Sequence, residues 1–306
     1  MTSAGLSRTQ LWMRAVRVRS FTASVIPISI GAALAWFYGP IEWWLVGVML
    51  LAAVACHAGA NLANDYFDHR SGVDSDDSFG PKRLIASGAL SPRTTIAAAV
   101  VAFAVATALG IVVVRETGWE ILLLALVSLA AAVLYTGGPR PLGYIALGEV
   151  TVFLFMGLAM VMGSYYVLTG ELTWTSALAA APIGFLTAAH LHANNLRDIE
   201  LDQAAGKRTL ANKFGRAWGN REYLALIVLA YAAVLALVVV EPRLWAITIT
   251  GAAIPTAWRL IRLTFSPAEG AELNPLLRKT AGLHLRFGSL MLVGLMIAGV
   301  LVRDGY

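Results

Sequence analysis

Long apolar runs recur along this chain at 20–38, 43–65, 94–114, 120–136, 148–169, 174–197, 222–240, 244–262 and 284–303. Stretches of about 17–25 mainly apolar residues are long enough to cross a bilayer as helices. Inside hydrocarbon every backbone N–H and C=O must find its partner within the protein, which leaves helices and closed β-barrels as the spanning solutions. Barrel strands alternate apolar and polar residues over segments of about ten residues. These runs do not alternate. The chain is therefore expected to be all-α, a polytopic membrane bundle of about nine transmembrane helices. Composition agrees: of 306 residues 58% are hydrophobic and 13% charged, and the mean hydropathy is +0.70.

Basic residues predict the orientation. Arg8, Arg14, Arg17 and Arg19 precede the first run, and most other Lys and Arg fall in loops on that same side. Of the 23, only Arg115, Arg243 and Arg303 fall opposite. The positive-inside rule then gives a cytoplasmic N-terminus. Topology and anionic lipid account for the net charge of +5, so no nucleic-acid partner is expected. The single cysteine, Cys56, excludes an internal disulfide. The first apolar run has span length and lacks a small-residue cleavage site, so it reads as a helix and not a leader. No linker separates folding units, and residues 1–306 read as one domain.

Two acidic clusters stand out against this background, Asn61 to Asp68 (NLANDYFD) and Asn194 to Asp202 (NNLRDIELD), at the ends of the second and sixth runs. Eight of the 18 acidic residues lie within 65–77 and 198–202. Residues four apart share a helix face, which pairs Asn64 with Asp68 and stacks Asn194, Asp198 and Asp202. Carboxylates converging at a membrane edge repel unless a cation joins them. Oxygen ligands without Cys or His select Mg²⁺, Mn²⁺ or Ca²⁺ over zinc, and Mg²⁺ in particular shares its shell with substrate phosphates. Lys82, Arg83, Lys207 and Arg208 follow the clusters, with Arg140 and Arg197 nearby, and such cations hold phosphate oxygens. A diphosphate at the cytoplasmic mouth of an apolar bundle belongs to an amphiphile, a prenyl diphosphate. A secondary transporter would instead place its polar groups near the bilayer midplane. His190 and His192, two apart, cannot face the same way on a helix, and with His57 they read as packed intramembrane histidines. Asp74, Asp76 and Asp77 read as a solvated loop.

At these residues the sequence resembles the UbiA-type superfamily of intramembrane prenyltransferases, whose two aspartate-rich motifs read Asn-x-x-x-Asp and Asp-x-x-x-Asp. Four stretches carry the resemblance: NLANDYFDHRSGVD at 61–74, GPKRLIASGALSP at 80–92, YTGGPRPLGYIALGE at 135–149 and NNLRDIELDQAAGKRTLANKFG at 194–215. The Tyr-Thr-Gly-Gly and Gly-Lys-Arg-Thr-Leu contexts are most similar to the branch that prenylates 1,4-dihydroxy-2-naphthoate.

The resemblance implies that Asn64, Asp68, Asp198 and Asp202, supported by Asp65, hold two Mg²⁺ ions bridging the diphosphate. It implies catalytic roles for Asp68, Asp198 and Tyr135, and diphosphate contacts from Lys82, Arg83, Arg140, Arg197, Lys207 and Arg208. Tyr66 and Phe67 are further aromatic faces for an allylic cation. The implied reaction joins a polyprenyl group from polyprenyl diphosphate to the aromatic acceptor, which loses its carboxylate as CO₂, beside membrane lipid at the cytoplasmic face of a bacterial inner membrane. Other acceptors of the superfamily, 4-hydroxybenzoate, homogentisate or a phosphosugar, are the alternative. Two positions depart from the family pattern: Glu149 stands where Asp is expected, and Asn212 where a small or apolar residue is usual.

Overall fold

The computed structural model describes residues 7–70, 84–85, 88–137 and 140–304, and of Arg19, Asp68 and Thr136 the backbone. Among these residues the chain is helical and forms no strand. The helices are α1 (Arg8–Ala15), α2 (Thr22–Tyr38), α3 (Trp43–Arg70), α4 (Pro92–Thr117), α5 (Trp119–Thr136), α6 (Gly148–Val152), α7 (Met160–Thr169), α8 (Trp174–Arg197), α9 (Ile199–Ala204), α10 (Leu210–Phe214), α11 (Arg216–Val240), α12 (Ile254–Thr264) and α13 (Asn274–Arg303). A π-helical segment, Phe153–Ala159, joins α6 to α7, and a 3₁₀ stretch, Pro242–Ala253, leads into α12.

Local sequence sets these boundaries. Ser91 caps α4 by accepting from the Thr94 N–H, with Pro92 at the first position, where its missing N–H costs nothing. Thr173 and Ser176 form a reciprocal capping box at the start of α8. Gly118 and Gly170 end α4 and α7 with φ of 113° and 73°, conformations that residues with a Cβ avoid.

The nine apolar runs each fall within a helical segment, so the expected count holds as an approximation. Among the described residues six segments are long and apolar enough to cross a membrane by length and composition, and Thr22–Tyr38 and Trp119–Tyr135 are shorter apolar helices. The remaining run is α8, and its position explains its lower hydropathy. Ile183, Leu186, Ala189, Ala193 and Leu196 of α8 are at most 1% exposed, packed against Ile30, Leu34, Val161, Ile227 and Phe287 from α2, α7, α11 and α13. A helix packed against protein along most of its surface need not dissolve in lipid. By contrast α4 and α5 present Val100, Val101, Leu123, Val127 and Val133 outward, the apolar surface that lipid covers. Trp43, Trp44, Trp119, Trp174 and Trp245 are all exposed and start helical segments at the end opposite the acidic motifs, as an interfacial aromatic belt would.

α8 and the π-helical segment cross at two glycines. A Cβ on Gly157 would run into the Gly184 Cα, and one on Gly184 would lie 2.8 Å from the Phe153 ring. Backbones this close leave no room for side chains between them, and the crossing fixes the height of α8 in the bundle.

Candidate active site

The last turns of α3 and α8 end on the same side of the bundle and open into one cavity of about 3190 Å³. Asn61, Asn64 and Asp65 of α3 line it, as do Asn194, Arg197 and Asp198 at the end of α8, Leu201 and Asp202 of α9, and Lys207. Asp198 leaves helical geometry at φ −100°, ψ 16°, so α8 breaks there and α9 starts afresh. The four-residue rhythm survives the break. The Asp198 N–H donates to the Asn194 carbonyl at 3.0 Å and the Asp202 N–H to the Asp198 carbonyl at 2.7 Å. Two segments 134 residues apart, Asn64 and Asp198, thus share one mouth.

Each described carboxylate of the mouth is matched to a cation. Arg17 donates to Asp65 Oδ1 at 2.6 Å from a left-handed backbone, φ 55°. Arg197 grips both oxygens of Asp198 through Nε and Nη2, each at 2.6 Å, and reaches Asn194 Oδ1 at 2.8 Å and Asn274 Oδ1 at 3.2 Å. Lys207 Nζ sits 3.1 Å from Asp202 Oδ2 and lies over the Tyr144 ring at 5.9 Å. The backbone holds this arrangement. The Arg208 N–H donates to the Tyr144 carbonyl at 3.0 Å and the Ala146 N–H to the Arg208 carbonyl at 2.7 Å, which clips the loop after α5 to the loop after α9.

The expected site residues divide accordingly. Asn64, Asp65, Tyr135, Arg197, Asp198, Asp202 and Lys207 line the cavity. Arg197, besides lining the cavity, makes four bonds to protein oxygens and so braces the second motif. The side chains of Arg140 and Arg208 are exposed and do not line the cavity. Lys82 and Arg83 lie outside the described residues, and Asp68 is described only as a backbone position one turn beyond Asn64 on α3. Tyr66 and Phe67 pack edge-on at 5.4 Å and are not among the lining residues.

Other lining residues were not anticipated. Arg14, Arg17 and Arg278 add positive charge to the mouth, and Tyr144 adds a second aromatic face beside Tyr135. Deeper in, His57 lines the cavity between the hydroxyls of Ser20 (3.0 Å to Nε2) and Ser24 (2.7 Å to Nδ1). His190 also lines it. Beyond these the wall turns apolar, through Met156, Met160, Val113, Leu124 and Ile121, and reaches Arg115 at the far end of α4. Glu149, one of the two departures from the family pattern, does not line the cavity. It is buried and bonded to His192 at 3.0 Å and Asn195 at 2.8 Å.

The donor set of the mouth suits Mg²⁺: Asn64, Asp65, Asp198 and Asp202 offer only oxygen, and cationic side chains stand beside them for phosphate. Asp202 reports the cost of holding negative charge here. Burial pushes its carboxyl above the ordinary value, Lys207 pulls it back, and Asp198 adds to the rise. The ionised form is therefore the costlier one in the folded chain. Any stability Asp202 contributes is present below the ordinary carboxylate value of about 3.9 and is lost as pH rises through the higher folded value. A divalent cation that pairs with ionised Asp202 offsets this cost. Mg²⁺ should then raise Tm most at neutral pH and less on acidification, and Asp202→Asn should flatten that dependence. A Mg²⁺-induced shift in Tm with the same pH profile in both proteins would remove Asp202 from the ion's surroundings.

Comparison with known proteins places this geometry. The model of the UbiA prenyltransferase family matches residues 24–274. The 1,4-dihydroxy-2-naphthoate octaprenyltransferase of Mycobacterium tuberculosis is 36% identical over 291 residues, covering 95% of this chain and 98% of that protein. The enzyme of the same name from Bacillus subtilis is 30% identical, covering 95% and 94%. Among solved structures, a UbiA homolog from Archaeoglobus fulgidus bound to DMAPP and Mg²⁺ superposes with a TM-score of 0.65 at 15% identity, over 92% of this chain and 98% of that one, which establishes the likeness of fold. The chain belongs to the UbiA prenyltransferase family.

Proposed function

We propose that this protein transfers a polyprenyl group from polyprenyl diphosphate to 1,4-dihydroxy-2-naphthoate, releasing diphosphate and CO₂, as a step of menaquinone biosynthesis. One observation carries the reaction class. Two acidic motifs distant in sequence line a single mouth, and behind them an apolar cavity runs the length of the bundle. A charged head and a long hydrocarbon tail are the two halves of a polyprenyl diphosphate. The acceptor is supported by the printed names of the bacterial relatives.

In this reading Asn64, Asp65, Asp68, Asp198 and Asp202 hold Mg²⁺, with two ions the expected number. Bound there, Mg²⁺ neutralises the charge that gathers on diphosphate as it leaves. Arg197 keeps Asp198 oriented through its two-pronged contact, and Asn194 and Asn274 keep Arg197 in place. Arg17 and Lys207 can turn from Asp65 and Asp202 toward phosphate oxygens once a cation takes over those carboxylates. Lys82, Arg83, Arg140 and Arg208 remain proposed phosphate contacts on sequence grounds. The Tyr135 and Tyr144 rings present π-faces to the allylic carbon as it gains positive charge, and the apolar wall excludes water from it until the arene attacks. The whole chain acts as one unit, with the mouth at the cytoplasmic face of a bacterial inner membrane, an orientation supported by the basic loops.

The test is an acceptor panel. Purified protein with Mg²⁺ and a polyprenyl diphosphate should release CO₂ and form a prenylated naphthoquinol from 1,4-dihydroxy-2-naphthoate, and leave 4-hydroxybenzoate and homogentisate unchanged. Turnover with one of those acceptors alone would overturn the acceptor assignment and keep the reaction class. No turnover with any acceptor would sink both.

A further inference from the structure

Outside the cavity, three helices bring a second set of ligating atoms together. Glu149 on α6, His192 on α8 and Glu222 on α11 each offer one atom, and the three atoms lie within 4.8 Å of one another. None of these residues lines the cavity. The His192 side chain is fully enclosed, and those of Glu149 and Glu222 are 5% and 13% exposed.

The hydrogen bonds define what His192 can do. Its Nε2 lies 2.8 Å from the Gly219 carbonyl, and a carbonyl only accepts, so Nε2 carries the hydrogen. Nδ1 then faces Glu149 Oε1 at 3.0 Å and Glu222 Oε2 at 3.3 Å. Asn195, 2% exposed, donates from Nδ2 to that same Glu149 oxygen at 2.8 Å, while its own Oδ1 is enclosed without a partner. Glu222 Oε2 is likewise enclosed and accepts no hydrogen bond. Two carboxylates confront one ring nitrogen with the facing atoms enclosed, where an unpaired polar group is expensive. A proton on Nδ1 answers Glu149 and leaves Glu222 Oε2 without a hydrogen bond. One divalent cation would satisfy all three atoms at once.

We propose that Glu149, His192 and Glu222 form a binding site for one divalent transition-metal ion of the zinc class, separate from the Mg²⁺ site. The 3.3 Å between Nδ1 and Glu222 Oε2 matches the ligand-to-ligand edge of a tetrahedron with metal bonds of about 2.0–2.1 Å. An imidazole in the donor set favours Zn²⁺, Mn²⁺ or Fe²⁺ over Mg²⁺. The outer supports of such a site are already built: the Gly219 carbonyl orients the ring and Asn195 orients Glu149. Glu149 carries its carboxylate from α6 across to α8. The ion ties α6, α8 and α11 together just before Asn194 and Asp198, which makes its three ligands positioning residues. The site stands whether or not the prenyl-transfer reading does.

Metal content tests it without any assay of activity. The full chain is purified in detergent and passed through metal-free buffer containing excess Mg²⁺, then analysed by inductively coupled plasma mass spectrometry. About one equivalent of zinc, manganese or iron per chain is expected for a three-ligand protein site. Asp202→Asn should keep the metal, and Glu222→Gln, which preserves side-chain shape, should lose it. Cobalt reconstitution adds a spectroscopic check, with the intense visible bands of tetrahedral Co²⁺ expected in the unmodified chain and in Asp202→Asn. Should Glu222→Gln fail to fold, the unmodified chain decides alone through its metal content and cobalt bands. Less than about a tenth of an equivalent, with no cobalt bands, would mean that the cluster holds protons and that no such site exists. Metal kept by Glu222→Gln and lost by Asp202→Asn would place the ion in the diphosphate mouth and equally overturn the proposal.

Discussion

Asp198→Asn is expected to lower kcat/KM for prenyl transfer by about 10³-fold or more, because a metal ligand at a developing diphosphate supplies several kcal/mol and each 1.36 kcal/mol is tenfold in rate. The substitution keeps the shape of the side chain and removes its charge. It leaves Arg197 facing an amide where it had two oxygens at 2.6 Å, so part of the loss will come through the displaced guanidinium. Two measurements separate these contributions. If Asp198 binds the ion, the Mg²⁺ concentration giving half-maximal rate rises in the variant. If it only anchors Arg197, that concentration stays put and Asn274→Ala, which frees another Arg197 contact, reproduces much of the defect. Asp68→Ala in the first motif should match the loss while the bundle stays folded. Activity within about tenfold of the unmodified chain in Asp198→Asn would mean that no transition-state charge is met at this carboxylate.

Most of the architecture was legible because membrane helices must satisfy their own backbones, so apolar length alone signals them. The runs at 43–65 and 174–197 correspond to α3 and α8. Boundaries erred where helices extend into polar sequence. The ninth run began at 284, whereas α13 starts at Asn274 and carries Arg278 to the mouth. The i,i+4 spacing correctly put Asn194, Asp198 and Asp202 in one cavity, although the helix breaks at Asp198. What stayed hidden is pairing across distance. Nothing local tells that Arg17 will meet Asp65, 48 residues on, or that Arg197 will turn back on its own neighbour Asp198. Sequence alone marks His192 as a packed histidine and does not show its partners Glu149 and Glu222, which arrive from 43 and 30 residues away, on α6 and α11. A period of 3.6 reveals which residues share a helix face and is silent on which helices face each other.

Gly157→Leu should be among the most damaging substitutions outside the polar mouth, costing about 3 kcal/mol or more and lowering Tm by several degrees. The first carbon of any side chain at this position meets the Gly184 Cα, which is backbone and cannot rotate away. Relief requires α8 to separate from the π-helical segment, and α8 is the element carrying Asn194, Arg197 and Asp198 to the cavity. Stability and turnover should therefore fall together, with kcat reduced even in the fraction that remains folded. π-Helical turns inside α-helices often mark functional positions, and here the wide turn lets two backbones touch beneath the site. Gly47→Ala on α3 is the matched control, since nothing lies within 4 Å of a Cβ built there. It should be neutral or gain about 0.5–1 kcal/mol from the better helix former. If Gly157→Leu instead unfolds near the Tm of Gly47→Ala and retains full turnover, the Gly157–Gly184 crossing does not set the position of α8.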